Sequence, residues 1–256
     1  MNKFFGLVIQ EHRYYTMSNL VMAGLVGIFI FLGPLAIIQI FPNTGHYDVN
    51  NIRMIFTMIA GSLVWIFSIA MFSSSLNRDI KTKELWLHNS QSIYSLIGAK
   101  VIYHCISMIA LSIVAFTGFF FVGDLIVGTL MQYLVFGIAC FILVVAFYLF
   151  FIVVILFVTA LNNQLARYIG KLSYVVMLIT VMLILEIINR LPNFTLVQFG
   201  KVESSFFNQY LPTFSESSMN VNLYFDFYIV EEIVMTMVLI LFYVVSCKWI
   251  ERVSAR

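Results

Sequence analysis

Charged residues are scarce in this chain, and their scarcity excludes a water-soluble fold. Only 10% of its 256 residues are Asp, Glu, Lys or Arg, whereas 62% are hydrophobic. Soluble domains average about a quarter charged and about half apolar. Because so few charges cannot cover the surface of such an apolar chain, lipid must be its solvent. The sequence therefore predicts an integral membrane protein.

The sequence also lacks the motifs of a catalytic or metal site. Its three cysteines show no paired spacing, which excludes a disulfide framework and a CxxC metal site. No Walker A pattern exists, because Gly170-Lys171 is followed by Leu172 and has no upstream glycine. H-E-x-x-H and G-x-S-x-G are absent, and the four histidines are scattered. We predict that the chain is not an enzyme and binds no cofactor, metal or nucleic acid.

Apolar segments about one membrane span in length recur along the whole chain. A helix needs about 20 residues to cross the hydrocarbon core, and six such segments fit the sequence. We predict an all-α membrane protein with six transmembrane helices in a single domain over residues 1–256. The predicted spans lie at about 20–41, 54–72, 101–122, 133–160, 172–188 and 233–247.

The sixth predicted span is the shortest, because Glu231 and Glu232 interrupt its apolar run. The stretch from Ile233 to Cys247 gives about 22 Å of helix, against about 30 Å for the hydrocarbon core. Either the two glutamates lie at the outer edge of the membrane, or they enter it within a protein-lined pocket.

Residues 1–18 have the pattern of an amphipathic helix in the membrane interface. The apolar side chains fall on one broad helical face, and the polar ones fall on the other. Glu11 and His12 are exceptions, since they lie at or inside the edges of the apolar arc. We predict an N-terminal interfacial helix ahead of the first span.

Basic residues are distributed unevenly between the predicted loops, and this sets the orientation. With both termini in the cytoplasm, 11 of the 14 Lys and Arg lie inside, and only Arg53, Arg190 and Lys201 lie outside. The positive-inside rule requires such a bias. Residues 190–227 then form a long external segment, and residues 73–100 form a cytoplasmic region.

The region 73–100 is the most polar part of the chain. Asp79 and Lys83 are spaced i,i+4 with the acid first, which favours a helix. Ser90 or Ser92 is placed to cap the helix that follows. From these residues alone two interpretations stay open. The region is either a solvated loop with Trp86 at the interface, or a rigid amphipathic coupling helix that docks on a cytoplasmic motor.

The residues Lys83-Glu84-Leu85-Trp86-Leu87-His88-Asn89-Ser90-Gln91-Ser92, followed by Leu96-Ile97-Gly98-Ala99-Lys100, resemble the loop after the second span of ABC-2-type transporter permeases. The layout of interfacial helix, six spans and long external segment is similar as well. The resemblance implies a permease domain that pairs with a second permease chain, identical or paralogous, and with separate ATPase subunits that bind ATP and magnesium. It also implies an ATPase-coupling role for Asp79, Lys83, Glu84, Leu85, Trp86 and Leu87.

The size and composition resemble permeases of low-GC Gram-positive bacteria, such as those of phenol-soluble modulin export and, close behind, lantibiotic immunity. We therefore expect a bacterial cell-membrane exporter of hydrophobic or amphipathic peptides. A motor-independent carrier or channel is the alternative. The predicted outer side carries eight acids against three basic residues, and Asp226, Glu231 and Glu232 are candidate external contacts for cargo. The competing explanation is that these acids are outside only because Lys and Arg are drawn inward.

Overall fold

The computed structural model describes residues 3–40, 49–82, 92–118, 126–127, 130–190, 199–202, 213–214 and 227–254. The described residues form six α-helices: α1 Lys3–Ile40, α2 Val49–Thr82, α3 Ile93–Phe116, α4 Leu130–Ile169, α5 Ser173–Arg190 and α6 Ile229–Ser254. Four two-residue strands accompany them: β1 Ile126–Val127, β2 Lys201–Val202, β3 Thr213–Phe214 and β4 Phe227–Tyr228.

Five stretches of the described residues are long and apolar enough to cross a membrane. One of them, Gly137–Ile184, extends over both α4 and α5. The predicted helical fold is therefore confirmed, and its long apolar helices fit a multi-pass membrane protein, whereas the count of six spans stays a prediction. The chain divides into two compact units. The first contains Met1–Phe72, Gly98–Tyr148 and Pro212–Val221, and the second contains Ser73–Ile97, Leu149–Leu211 and Asn222–Arg256.

Helix α1 is one continuous helix, with no break between the predicted interfacial helix and the first span. Its 38 residues rise about 57 Å, nearly twice the thickness of the hydrocarbon core. Pro34 lies inside the helix and is buried. The interfacial position of residues 1–18 stays a prediction, since an unbroken helix of this length extends beyond the core.

The core of the first unit is formed by α1, α2 and α3. Each helix contributes two side chains to one cluster, namely Val26, Ile30, Ala60, Val64, Leu111 and Ala115. Helices α1 and α3 run parallel, because Asn19 hydrogen-bonds Tyr103 near one end and Ile30 lies beside Gly118 near the other.

Helix α2 runs antiparallel to α3. Phe72, from the second half of α2, makes an edge contact with the ring of His104 in the first half of α3. Thr57, near the start of α2, lies beside Gly118 just after α3. The three helices therefore alternate in direction, as consecutive membrane spans do.

Close helix contact at Gly118 gives a first prediction. A methyl group there would overlap the hydroxyl of Thr57 and lie 2.8 Å from Cγ2 of Ile30, and both of those side chains are buried. We expect Gly118→Ala to destabilise the protein by about 1–3 kcal/mol through overpacking, measured as a lower denaturation midpoint in detergent. Gly24→Ala is the matched control, because nothing lies within 4 Å of its added Cβ. An equal loss in the two variants would contradict tight packing at Gly118.

In the second unit, α4 and α5 form a helical hairpin. Helix α4 ends at Ile169, and the 3-10 turn Gly170–Leu172 follows, with Gly170 at φ +57°. The hydroxyl of Ser173 donates a hydrogen bond of 2.9 Å to the side-chain oxygen of Asn162. In a straight helix these residues would be about 16 Å apart, so the chain reverses here. The two spans predicted at 133–160 and 172–188 are thus separated by less than the sequence suggested, because α4 continues to Ile169.

Helix α6 corrects the predicted length of the last span. It begins at Ile229 and ends at Ser254, so its 26 residues give about 39 Å. Glu231 and Glu232 lie in its first turn, where the positive end of the helix dipole favours acids. Ahead of it, β4 pairs antiparallel with β2, and in the first unit β1 pairs with β3.

Candidate functional site

The predicted coupling region begins as a continuation of α2. The helix passes the predicted end of the second span at Phe72 and continues to Thr82, so residues 73–82 do not form a separate helix. Asp79 is buried, and the Arg78 guanidinium lies 3.2 Å from its carboxylate. The other predicted coupling residues, Lys83, Glu84, Leu85, Trp86 and Leu87, lie outside the described residues, as does the predicted Asp79–Lys83 pair.

The far side of the coupling region is fixed by a helix cap. The Ser95 amide donates to the side-chain oxygen of Ser92 at 3.4 Å, and α3 begins at Ile93. This is the geometry of an N-cap, and it selects Ser92 from the two predicted candidates. Residues 83–91, between Thr82 and this cap, lie outside the described residues.

A buried ion pair joins α1 to α3 eight residues after this cap. The ammonium group of Lys100 donates to a carboxylate oxygen of Glu11. The side chains are only 3% and 9% exposed, respectively. Charges removed from solvent are costly unless they are paired, so the two residues constrain each other's position.

Aromatic and polar side chains make further contacts between α1 and α3 near this ion pair in the sequence. The side-chain amide of Asn19 donates to the Tyr103 hydroxyl at 2.9 Å. The Tyr15 ring lies 5.4 Å from the His104 ring and 6.4 Å from the Tyr103 ring. We call Glu11, Lys100 and these four side chains the polar cluster. It extends over about two turns of α1 and about one turn of α3.

Helix α4 contacts the polar cluster through Tyr148, which is fully buried. Its hydroxyl donates to the carbonyl oxygen of His104 at 3.2 Å and lies 3.4 Å from that of Ser68. Since both carbonyl groups belong to helix interiors, one hydroxyl links α4 to α2 and α3. With the ion pair to α1, these contacts connect α3 to three neighbouring helices, α1, α2 and α4.

One feature of the sequence indicated the polar cluster, namely the position of Glu11. Glu11 falls inside the apolar arc of the first helix, where a carboxylate needs a buried partner. The identity of that partner could not be predicted, since 89 residues separate Glu11 from Lys100. Among the described residues, no group of three or more His, Cys, Asp or Glu is placed to hold a metal ion.

The predicted external acids are only partly described. Glu231 is half-buried and Glu232 is exposed, one residue apart in the first turn of α6. Asp226 lies outside the described residues, so the predicted grouping of three acids is not tested. At the end of α5, Arg190 and Glu186 form an i,i+4 ion pair at 2.8 Å.

Helices α4 and α6 run parallel in the second unit. Phe157 stacks on Phe242 with ring centroids 4.5 Å apart. About three turns further along both helices, the Arg167 guanidinium donates to the carbonyl oxygen of Arg252 at 3.2 Å. With α5 folded back along α4, the three helices of this unit also alternate in direction.

Comparisons of the chain with protein-family models, with curated proteins and with solved structures found no match.

Proposed function

We propose that this chain is the transmembrane subunit of an ABC-2-type exporter, which works with a separate ATPase and with a second permease chain. The observation that carries the proposal is the position of residues 83–91, which lie between the end of α2 at Thr82 and the cap of α3 at Ser92. Their sequence resembles a permease coupling loop, and the helix that follows is held to α1 by the Glu11–Lys100 pair. A displacement of this segment would be transmitted to both helices, because the segment is joined to α2 at one end and to α3 at the other.

The proposed mechanism begins at residues 83–91, which contact the ATPase. Closure of the ATPase on ATP displaces this segment and with it the first turns of α3. Lys100 lies about 10 Å along the helix from Ile93, so its ion pair carries α1 along with α3. Tyr148 extends the displacement to α4. The helices reorient around a path at the interface of the two permease chains.

A motor-independent carrier is the alternative function. Glu11 and Lys100 are ionisable groups buried among apolar helices, and carriers use such groups to bind ions. Inside-out vesicles distinguish the two functions. We expect uptake of a labelled amphipathic peptide to need hydrolysable ATP and to persist when ion gradients are collapsed. Uptake driven by an ion gradient without ATP would contradict the exporter.

The proposed topology has six spans with both termini in the cytoplasm, supported by the alternating helix directions within each unit. We expect cysteines introduced at Thr44, Asn208 and Ser217 to react with a membrane-impermeant thiol reagent in intact cells. Cysteines at Thr82 and Asn163 are expected to react only after permeabilisation. Labelling of Thr82→Cys in sealed cells would show that the orientation is the opposite of the one proposed.

The proposed cargo is a hydrophobic or amphipathic peptide that leaves near Glu231 and Glu232. Two carboxylates at the start of α6 attract a cationic peptide and repel an anionic one. We expect Glu231→Gln/Glu232→Gln to slow export of a cationic peptide several-fold and to leave a neutral peptide unaffected. Arg190→Gln is the control at the same predicted side of the membrane. Equal slowing of both peptides would show that the two acids have a structural role and do not recognise the charge of the cargo.

A further inference from the structure

Four cations from two distant segments of sequence lie at the ends of two helices that contact each other in the second unit. Arg167 and Lys171 flank the end of α4, and Lys248 and Arg252 lie one turn apart near the end of α6. The Arg167 guanidinium bonds to the Arg252 carbonyl oxygen at 3.2 Å, and the Gln164 amide bonds to the Trp249 carbonyl oxygen at 3.1 Å. We call the four cations the basic cluster.

The basic cluster faces outward from the unit. All four side chains are exposed. Among the described residues, Lys171, Lys248 and Arg252 form no ion pair. The cluster includes one acid, Glu251, which leaves a net charge of +3. Four cations held together in this way repel one another, so an anion that bridges them would lower their energy.

Large apolar side chains are exposed beside the cations. Tyr168 is 79% exposed, Leu172 65% and Tyr174 61%, on the turn that carries Arg167 and Lys171. Tyrosine and aliphatic side chains next to Lys and Arg are typical of the level where acyl chains meet headgroups. A soluble anion would use the charges alone, whereas a phospholipid would use both the charges and the apolar side chains.

We propose that the basic cluster binds the phosphate headgroup of an anionic phospholipid, whose acyl chains cover Tyr168, Leu172 and Tyr174. Basic pockets between membrane helices recognise anionic headgroups through such convergent cations. The site depends only on the membrane location of the protein and not on its proposed transport function. The lipid fastens α4 to α6 beside the hydrogen bonds of Gln164 and Arg167.

The test is native mass spectrometry of the full chain in detergent, titrated with phosphatidylglycerol or phosphatidylcholine. Lys171→Gln/Lys248→Gln/Arg252→Gln removes three cations and keeps the Arg167 hydrogen bond, whose acceptor is a backbone carbonyl. We expect this variant to lose at least tenfold in affinity for phosphatidylglycerol and to bind phosphatidylcholine as before. Lys171→Arg/Lys248→Arg preserves the charge and is expected to bind both lipids like the unmodified chain.

Arg13→Gln/Arg190→Gln/Lys201→Gln is the matched control, since it removes three exposed cations elsewhere. It is expected to stay within about twofold of the unmodified chain, because the lost charges lie outside the cluster. Equal loss in the control, or unchanged phosphatidylglycerol binding in the cluster variant, would overturn the site. Displacement of the bound lipid by millimolar inorganic phosphate would also overturn it, since the site would then recognise a soluble anion. A denaturation midpoint measured in phosphatidylcholine shows whether the cluster variant is folded. If it is not folded, the single variants Lys171→Gln and Lys248→Gln replace it, and phosphatidylglycerol binding that is unchanged in both would overturn the site.

Discussion

Lys100→Met is expected to destabilise the protein by about 3–5 kcal/mol, because it leaves the Glu11 carboxylate buried without its cation. The Lys100 side chain is only 3% exposed, so water cannot replace it without opening the contact between α1 and α3. Glu11→Leu should cost a similar amount, since it strands the ammonium group of Lys100. Reversible unfolding in mixed micelles measures both losses.

The double variant Glu11→Leu/Lys100→Met is the matched comparison. A buried ion pair replaced by apolar side chains of similar size is often neutral or even stabilising, so we expect most of the lost stability to return. We also expect the double variant to bind the ATPase and hydrolyse ATP, yet export poorly, because α3 no longer carries α1 with it. Single variants within about 1 kcal/mol of the unmodified chain would show that the pair carries little of the packing energy.

Trp86→Ala is expected to weaken capture of the ATPase by about thirtyfold. Truncation of a buried aromatic anchor at a protein interface typically costs about 2 kcal/mol or more. Leu85→Ala/Leu87→Ala should have a comparable effect, since these residues flank Trp86 in the coupling segment. The measurement is the amount of ATPase recovered with the tagged chain from detergent-solubilised membranes, together with its stimulated ATP hydrolysis.

Trp249→Phe is the control for this experiment. The substitution keeps a ring beside Phe157 within the second unit, 5.5 Å away in the unmodified chain, so capture of the ATPase should be unaffected. Normal recovery and normal stimulation with Trp86→Ala would remove the coupling role from residues 83–91. The region 73–100 would then be a solvated connection between two spans.

The hydropathy pattern predicted where the chain is apolar but not where its helices end. The second span was expected to finish at Phe72, yet α2 continues to Thr82. The polar residues that follow Phe72 end the apolar run, but neither Pro nor Gly interrupts the helix there. Helix α6 also extends beyond its apolar run. It begins at Ile229, because acids such as Glu231 and Glu232 are favourable in a first helical turn.

Contacts between residues far apart in the sequence could not be predicted from hydropathy and periodicity. Periodicity placed Glu11 on an apolar face, and only the folded chain brings Lys100 to it. Among the glycines in the helices of the first unit, Gly118 lies against Thr57, whereas an added Cβ at Gly24, Gly27 or Gly61 meets nothing within 4 Å. Spacing along one helix cannot distinguish these cases, because the neighbouring helix decides them.

The most direct test of the proposed function is purification of the tagged chain from its native membrane in a mild detergent, followed by identification of stoichiometric partners. We predict one ATPase subunit with a Walker A motif per permease chain, and vanadate-sensitive ATP hydrolysis in the purified complex. A chain that purifies without any ATPase, and that moves peptide across proteoliposomes on its own, would contradict the account.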